Sequence, residues 1–144
     1  MNETPKATTE APATDEAVVG KTILIAEDDP FILRMYQIKL EGAGFKVVVK
    51  TTGRDAYEYI KATRPDLFLT DINMPELSGL EVLSTLQGDG FDFTGMPIIV
   101  LTNSSNMEDR KVALSYGADY LVKAELTPRQ VLDIIIEKLK APEA

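Results

Sequence analysis

Short apolar runs alternate with longer amphipathic segments along most of this chain. Short continuous apolar runs are typical of strands covered on both faces, whereas apolar residues at helical spacing indicate helices that pack on one side. Five strands alternating with five helices predict an α/β fold with a doubly wound, five-stranded parallel sheet. The predicted strands are TILIA (22–26), FKVVVK (45–50), DLFLT (66–70), PIIVLT (97–102) and DYLVK (119–123).

Prolines, glycines and capping residues indicate where the predicted helices begin and end. Pro30 suits the first turn of the first helix, in which Phe31, Met35 and Ile38 share an apolar face. Thr127 is a candidate N-cap for the last helix, which carries an apolar stripe. The predicted helices run from Pro30 to about 42, and over 53–65, 80–87, 107–117 and 127–140.

Composition restricts both the class of protein and the chemistry available to it. The chain has 144 residues, 44% hydrophobic and 26% charged, which suits one globular domain. No apolar run approaches the roughly 20 residues of a membrane span, and the N-terminus lacks the pattern of a signal peptide. We therefore expect no membrane insertion and a cytoplasmic location. Residues 1–20 are rich in Thr, Ala, Pro and Glu and are predicted to form a disordered tail.

Cysteine and histidine are both absent. Their absence excludes disulfides, zinc–sulfur sites, Ser-His-Asp triads and a phosphohistidine on this chain. The formal net charge is -8, and a surface of that sign disfavours direct nucleic-acid binding. The expected organisation is a domain over 21–140 and a short tail over 141–144, with no output domain.

Polar residues follow the predicted strands at the points where the strands end. Ligands of such sheets bind beyond these ends, and an order of 2-1-3-4-5 makes the first and third strands neighbours. Crowded carboxylates repel one another, and a hard divalent cation such as Mg²⁺ relieves that repulsion. With a lysine and a hydroxyl beside them, they describe a phosphoryl-transfer site with Asp71 as nucleophile. The residues that gather there are Glu27, Asp28, Asp29, Asp71, Thr102 and Lys123.

Four motifs in order, LIAEDDP, LTDINMPELSG, IIVLT and DYLVK, resemble the receiver domain of bacterial two-component response regulators. The resemblance runs from about Lys21 to Leu139 and implies a flavodoxin-like (βα)5 fold of the stand-alone, CheY-like kind. It implies that Asp71 accepts phosphate from a sensor histidine kinase or a histidine phosphotransfer protein. It also implies that Thr102 and Tyr120 are the switch residues and that Lys123 pairs with the phosphoryl group.

The resemblance further implies a Mg²⁺ site. Its ligands would be Asp28, Asp71 and the backbone carbonyl of Asn73, with Glu27 acting through water. Asp29, next to Pro30, is better placed to cap the first helix.

Two positions depart from the family pattern. Ala124 follows Lys123 where the family usually has proline, so we expect a trans peptide bond there. Asn103 replaces the small residue that commonly follows the switch threonine. Asn103 and Ser104 are therefore candidate modulators of the lifetime of the phosphorylated state.

The leading functional hypothesis is a stand-alone switch that controls a downstream effector protein. The resemblance implies an output surface on the fourth helix, fifth strand and fifth helix. Two alternatives stay open, a phosphorelay intermediate and a phosphorylation-independent interaction domain. A phosphohydrolase would need a second acid where Asn73 stands, and a flavin phosphate would be repelled by the acidic AEDDP loop. The surface residues named by this hypothesis are Asp109, Arg110, Lys111, Ser115 and Tyr116.

Overall fold

The structure is a computed structural model that describes residues 16–140. Five parallel strands form one sheet in the order β2-β1-β3-β4-β5, which confirms the predicted fold and strand order. The strands are β1 Thr22–Ala26, β2 Lys46–Lys50, β3 Leu67–Thr70, β4 Ile98–Thr102 and β5 Asp119–Val122. The helices are α1 Pro30–Gly42, α2 Gly53–Thr63, α3 Gly79–Gly88, α4 Met107–Ser115 and α5 Pro128–Lys140.

The sheet is covered on both faces, because successive residues of the central strands enter two different cores. In β1, Ile23 and Ile25 pack with residues of α1 and α5, whereas Leu24 and Ala26 pack with residues of α2, α3 and α4. This double burial explains why the central strands read as continuous apolar runs. It also leaves the carboxyl ends of the strands as the place where polar side chains can gather.

Side-chain caps begin two of the helices at the positions predicted from the sequence. The carboxylate of Asp29 accepts hydrogen bonds from the amides of Phe31 and Ile32, so Asp29 is the N-cap of α1. The hydroxyl of Thr127 accepts a hydrogen bond from the amide of Gln130 at the start of α5. The predicted capping roles of Asp29 and Thr127 are confirmed.

One apolar face of α1 is exposed rather than buried. Phe31, Met35 and Ile38 share a face, but that face points to solvent and the Phe31 side chain is 87% exposed. Tyr36 and Leu40 fill the core instead. The helix carries two apolar stripes, and periodicity alone does not say which of them meets the sheet.

The structured domain includes residues before 21. Residues 16–20 form turns, in which Val18 is 1% exposed and Gly20 donates its amide hydrogen to the carbonyl of Gly44. The expected tail boundary at residue 20 is therefore too late by at least five residues, because Val18 belongs to the core. The rest of that tail and residues 141–144 lie outside the described residues. No helix within 16–140 has the length and apolar character needed to cross a membrane.

Candidate functional site

Three carboxylates meet at the carboxyl ends of β1 and β3. Glu27, Asp28 and Asp71 each offer an oxygen, and these oxygens lie within 4.8 Å of one another. Glu27 and Asp71 are buried, whereas Asp28 is exposed at the mouth of the site. Three carboxylate oxygens with one face open to solvent match the preference of Mg²⁺ for oxygen ligands and retained water. The donor set therefore fits a hard divalent cation.

Lys123 follows β5 and reaches across the sheet into this cluster. Its Nζ atom lies 2.8 Å from Oε1 of Glu27 and 3.3 Å from Oδ2 of Asp71. The lysine side chain is only 11% exposed, so the ammonium has exchanged most of its water for these two carboxylates. Lys123 thus bridges the two buried acids of the site.

Burial and charge act in opposite directions on these groups. Burial raises the pKa of Glu27, and the hydrogen bonds that its carboxylate accepts from Lys123 and from the Asp29 amide only partly offset this. Burial lowers the pKa of Lys123, but its hydrogen bond to Glu27 and the charge of Asp71 outweigh that effect, so the pKa of Lys123 lies above its ordinary value. The buried carboxylates hold the lysine in its charged form.

The backbone around Asp71 is held at several points. Its amide donates to the carbonyl of Ala26 at 2.9 Å, and its Oδ1 atom accepts from the amide of Ile72 at 2.6 Å. Gly79 closes the loop by donating its amide hydrogen to the carbonyl of Ile72. A Cβ atom at Gly79 would lie 2.1 Å from the carbonyl oxygen of Asp71, so only glycine fits there. The loop therefore fixes where the Asp71 carboxylate points.

Ser104 connects the two predicted switch residues. The hydroxyl of Thr102, which is fully buried at the end of β4, accepts a hydrogen bond from the Ser104 amide at 3.3 Å. The hydroxyl of Tyr120 donates to the Ser104 carbonyl at 2.8 Å. Burial raises the pKa of the Tyr120 hydroxyl, so this group stays a donor at neutral pH. The sequence suggested Ser104 only as a modulator, whereas its peptide groups link Thr102 to Tyr120.

The remaining predicted residues lie at the rim. Asn73 is exposed and lines an open cleft of about 430 Å³ together with Asp28, while Asn103 is exposed beyond Thr102. Lys123–Glu125 form a single 3-10 turn, and no cis peptide bond occurs between residues 16 and 140, as expected for Ala124. The ligand role of the Asn73 carbonyl stays a prediction.

Tyr36 is the site neighbour that sequence reasoning missed. Tyr36 belongs to α1, and together with Glu27 and Asp71 it lines a small cavity. A tyrosine at a core position of an amphipathic helix was the available signal, because a buried tyrosine hydroxyl needs a polar partner.

Comparison with known proteins agrees with this geometry. The family model of the response regulator receiver domain matches residues 23–136. The chain is 32% identical over 121 residues to the DNA-binding response regulator MtrA of Mycolicibacterium smegmatis, covering 84% of this chain and 51% of MtrA. It is 31% identical over 113 residues to the alkaline phosphatase synthesis transcriptional regulatory protein PhoP of Bacillus subtilis, covering 78% and 46%. The chain thus spans about half the length of these curated relatives.

Solved structures show the same architecture. The CheY-like receiver domain protein of Methanospirillum hungatei is 31% identical with a TM-score of 0.73, over 83% of this chain and 94% of that one. The BeF3-activated N-terminal receiver domain of Klebsiella pneumoniae RstA is 30% identical with a TM-score of 0.72, over 83% and 99%. Family model, relatives and fold agree, and the chain belongs to the response regulator receiver domain family.

Proposed function

We propose that this protein is a phosphorylation-dependent switch in which Asp71 accepts a phosphoryl group from a phosphohistidine. The donor would be a sensor histidine kinase or a histidine phosphotransfer protein. The observation that carries the proposal is the buried contact of Lys123 with Glu27 and Asp71, since it places a cation beside a held carboxylate. In the transfer, a carboxylate oxygen of Asp71 bonds to phosphorus while the bond to the donor imidazole nitrogen breaks.

Glu27, Asp28, Asp71 and the carbonyl of Asn73 are the groups that would hold Mg²⁺, Glu27 through water. A bound Mg²⁺ ion neutralises charge on the phosphoryl oxygens. The Lys123 ammonium, which contacts Glu27 and Asp71, would pair with a phosphoryl oxygen. Thr102 would donate its hydroxyl to another phosphoryl oxygen.

The switch step follows from the contacts of Ser104. If the Thr102 hydroxyl rotates towards the phosphoryl group, the hydrogen bond from the Ser104 amide changes, and Tyr120 is tied to the carbonyl of the same residue. The guanidinium of Arg110 on α4 lies 5.8 Å from the centre of the Tyr120 ring. A movement of the Tyr120 ring would therefore alter this contact with α4. The partner-binding surface of α4, β5 and α5 would then differ between the two states.

The surface would bind a downstream effector protein. The residues of α4 and its end that take part are Asp109, Arg110, Lys111, Ser115 and Tyr116. MtrA is named a DNA-binding response regulator. That name makes a DNA-binding output a second candidate for what the switch controls, although the net charge of -8 disfavours nucleic-acid contact by this chain itself. The stand-alone organisation and the cytoplasmic location stay predictions.

Intact mass after incubation with acetyl phosphate and Mg²⁺ tests the proposal. The native chain is expected to gain one phosphoryl group, and Asp71→Asn is expected to gain none. Asp133→Asn, which alters an exposed carboxylate on α5, is the matched control and should be phosphorylated like the native chain. Omission of Mg²⁺ should abolish the gain. An unmodified native chain would contradict the proposal and favour the phosphorylation-independent interaction domain.

A phosphorelay role uses the same site and is separated by a second measurement. The phosphorylated chain would be mixed with a purified histidine phosphotransfer protein. Transfer of the phosphoryl group to that protein, without any change in the amide chemical shifts of α4, would favour the relay over the switch.

A further inference from the structure

Tyr36 is buried, and its hydroxyl group has no hydrogen-bond partner within the part of the chain that the structure describes. The residue lies on the sheet side of α1 and is 5% exposed. Among residues 16–140, none forms a hydrogen bond with this hydroxyl. Leaving a hydroxyl both dehydrated and unpaired is unfavourable, so such groups in folded proteins are usually satisfied by protein or by ordered water.

A cavity of about 10 Å³ adjoins this hydroxyl-bearing side chain. It lies between α1 and the ends of the central strands, directly below the acidic site. Glu27, Tyr36 and Asp71 are the polar side chains that line it, whereas the hydroxyl of Thr70 lies on the other face of the sheet near Gly79; the rest of the wall is apolar. A polar cavity of roughly 10–15 Å³ holds one water molecule when two to four polar partners face it. The volume therefore suits a single water, with Tyr36 and Glu27 as its polar partners.

The charges of the acidic site reach the Tyr36 hydroxyl. Burial raises the pKa of Tyr36, the charge of Lys123 lowers it, and the charge of Glu27 raises it again. Glu27 lines the cavity together with Tyr36, so its carboxylate lies on the same side of the sheet as this hydroxyl.

We propose that Tyr36 and Glu27 share one buried water, and that Tyr36 is a positioning residue for the cation-binding carboxylates. The Tyr36 hydroxyl donates to the water, which in turn donates a hydrogen to the Glu27 carboxylate. The water thus makes two hydrogen bonds, which is within the range that buried waters show. The assignment of Glu27 to a cation site rests on the proposed function.

The link gives Glu27 a donor that is independent of Lys123. The two carboxylate oxygens of Glu27 accept hydrogen bonds from Lys123 at 2.8 Å and from the Asp29 amide at 3.1 Å. If Lys123 turned towards a phosphoryl group, Glu27 would lose the first of these. The water held by Tyr36 stays in place below and keeps the carboxylate oriented towards the cation.

Tyr36→Phe removes only the hydroxyl, and Tyr59→Phe is the matched control. Tyr59 lies on α2 with its ring near Lys50, away from the acidic site. The melting temperature is measured in EDTA, and Mg²⁺ affinity by amide chemical-shift titration. Tyr36→Phe is expected to lower the melting temperature by about 3–6 °C and to weaken Mg²⁺ binding roughly 3- to 10-fold. Tyr59→Phe should change neither.

Several outcomes would overturn the proposal. A melting temperature that is unchanged or higher in Tyr36→Phe would mean that the hydroxyl is unpaired and the cavity dry. A lower melting temperature with unaltered Mg²⁺ affinity would leave Tyr36 a purely structural residue. The ¹³C chemical shift of the Glu27 carboxylate in EDTA should also move in Tyr36→Phe but not in Tyr59→Phe.

Failure of the proposed function would look different. If the native chain bound no Mg²⁺, the cation site would be wrong and with it the positioning role of Tyr36. The water link itself would still be decided in EDTA by the melting temperature and the Glu27 carboxylate shift. A high-resolution crystal structure should show the water within hydrogen-bond distance of the Tyr36 hydroxyl and the Glu27 carboxylate, and an empty cavity would refute it.

Discussion

The Nζ atom of Lys123 donates a hydrogen bond of 2.8 Å to Oε1 of Glu27. Its distance to Oδ2 of the proposed acceptor Asp71 is longer, 3.3 Å. Without a phosphoryl group, the lysine therefore serves mainly to neutralise Glu27 and only partly to pair with the acceptor. The lysine thereby holds two buried like charges together.

Removal of the Lys123 charge should cost much more stability than removal of an exposed lysine charge. Lys123→Met leaves Glu27 and Asp71 buried without a cation, and loss of one partner from a buried pair costs about 3–5 kcal/mol. Lys138→Met breaks the half-exposed pair with Asp119 and should cost at most about 1 kcal/mol. Urea unfolding in EDTA measures both free energies, and equal losses would contradict the buried bridge.

Glu27 should make the metal-free protein less stable as pH rises. Its pKa is raised from 4.5, chiefly by burial, so the stability it contributes is fully present below pH 4.5 and is lost as pH rises through its folded-state pKa. Glu27→Gln cannot ionise at this position and should escape that loss. The free energy of unfolding of Glu27→Gln, minus that of the native chain, is therefore expected to increase from below pH 4.5 to neutral pH in EDTA.

The control for this pH profile is Glu137→Gln, which alters an exposed carboxyl on α5. Its difference from the native chain should stay nearly flat over the same range. A Glu27→Gln difference that falls with rising pH would mean that Lys123 more than offsets the burial of Glu27.

Gly79→Ala should disturb the acceptor loop. The new Cβ atom would meet the carbonyl oxygen of Asp71 at 2.1 Å, so the backbone beside the acceptor must shift. We expect a loss of about 1–3 kcal/mol in the free energy of unfolding and slower phosphorylation by acetyl phosphate. Gly88→Ala, at the end of the same helix, meets nothing within 4 Å and should be neutral or stabilising by up to about 1 kcal/mol. Similar effects of the two substitutions would refute the close approach.

Most of the fold could be predicted from sequence because several independent signals agree. The central strands are buried on both faces, so their sequences are continuous apolar runs. Asp29 and Thr127 are typical N-cap residues and indicate where the helices that they cap begin. The convergence of Glu27, Asp28 and Asp71 follows from the strand order alone, because parallel strands end at one edge.

What escaped prediction depends on contacts that periodicity does not encode. Tyr36 acts through a cavity, and Ser104 links the switch residues through its peptide groups. Neither kind of contact produces a recognisable sequence motif. Val18 joins the core from a segment whose composition is polar, because one buried side chain is too little to alter a compositional signal. Two apolar stripes on α1 likewise left open which one is buried.

Substitutions in the exposed apolar stripe of α1 should hardly change the free energy of unfolding. Phe31→Ala removes a ring that is 87% exposed and should change the free energy of unfolding by less than about 0.5 kcal/mol. Leu40→Ala, on the buried side of the same helix, should cost about 2–5 kcal/mol because it opens a cavity in the core. Thermal or urea unfolding of both variants decides, and a large loss in Phe31→Ala would show that α1 is packed the other way round.

Tyr120→Phe should separate phosphorylation from its effect on the output surface. The substitution keeps the buried ring but removes the hydrogen bond to the Ser104 carbonyl, and Asp71 with its neighbours is left unaltered. Phosphorylation by acetyl phosphate should therefore reach the same extent as in the native chain. The amide chemical shifts of α4 should change less on phosphorylation, because the Thr102 hydroxyl no longer acts on the Tyr120 side chain through Ser104.

Tyr116→Phe is the matched control for this experiment. Tyr116 lies at the end of α4, where its ring contacts Phe93 rather than Ser104. In Tyr116→Phe, the amide chemical shifts of α4 should respond to phosphorylation as they do in the native chain. An undiminished response in Tyr120→Phe would break the proposed connection through Ser104. Since both variants keep an aromatic ring in place, the comparison isolates the single hydrogen bond that ties the buried tyrosine to the loop after β4.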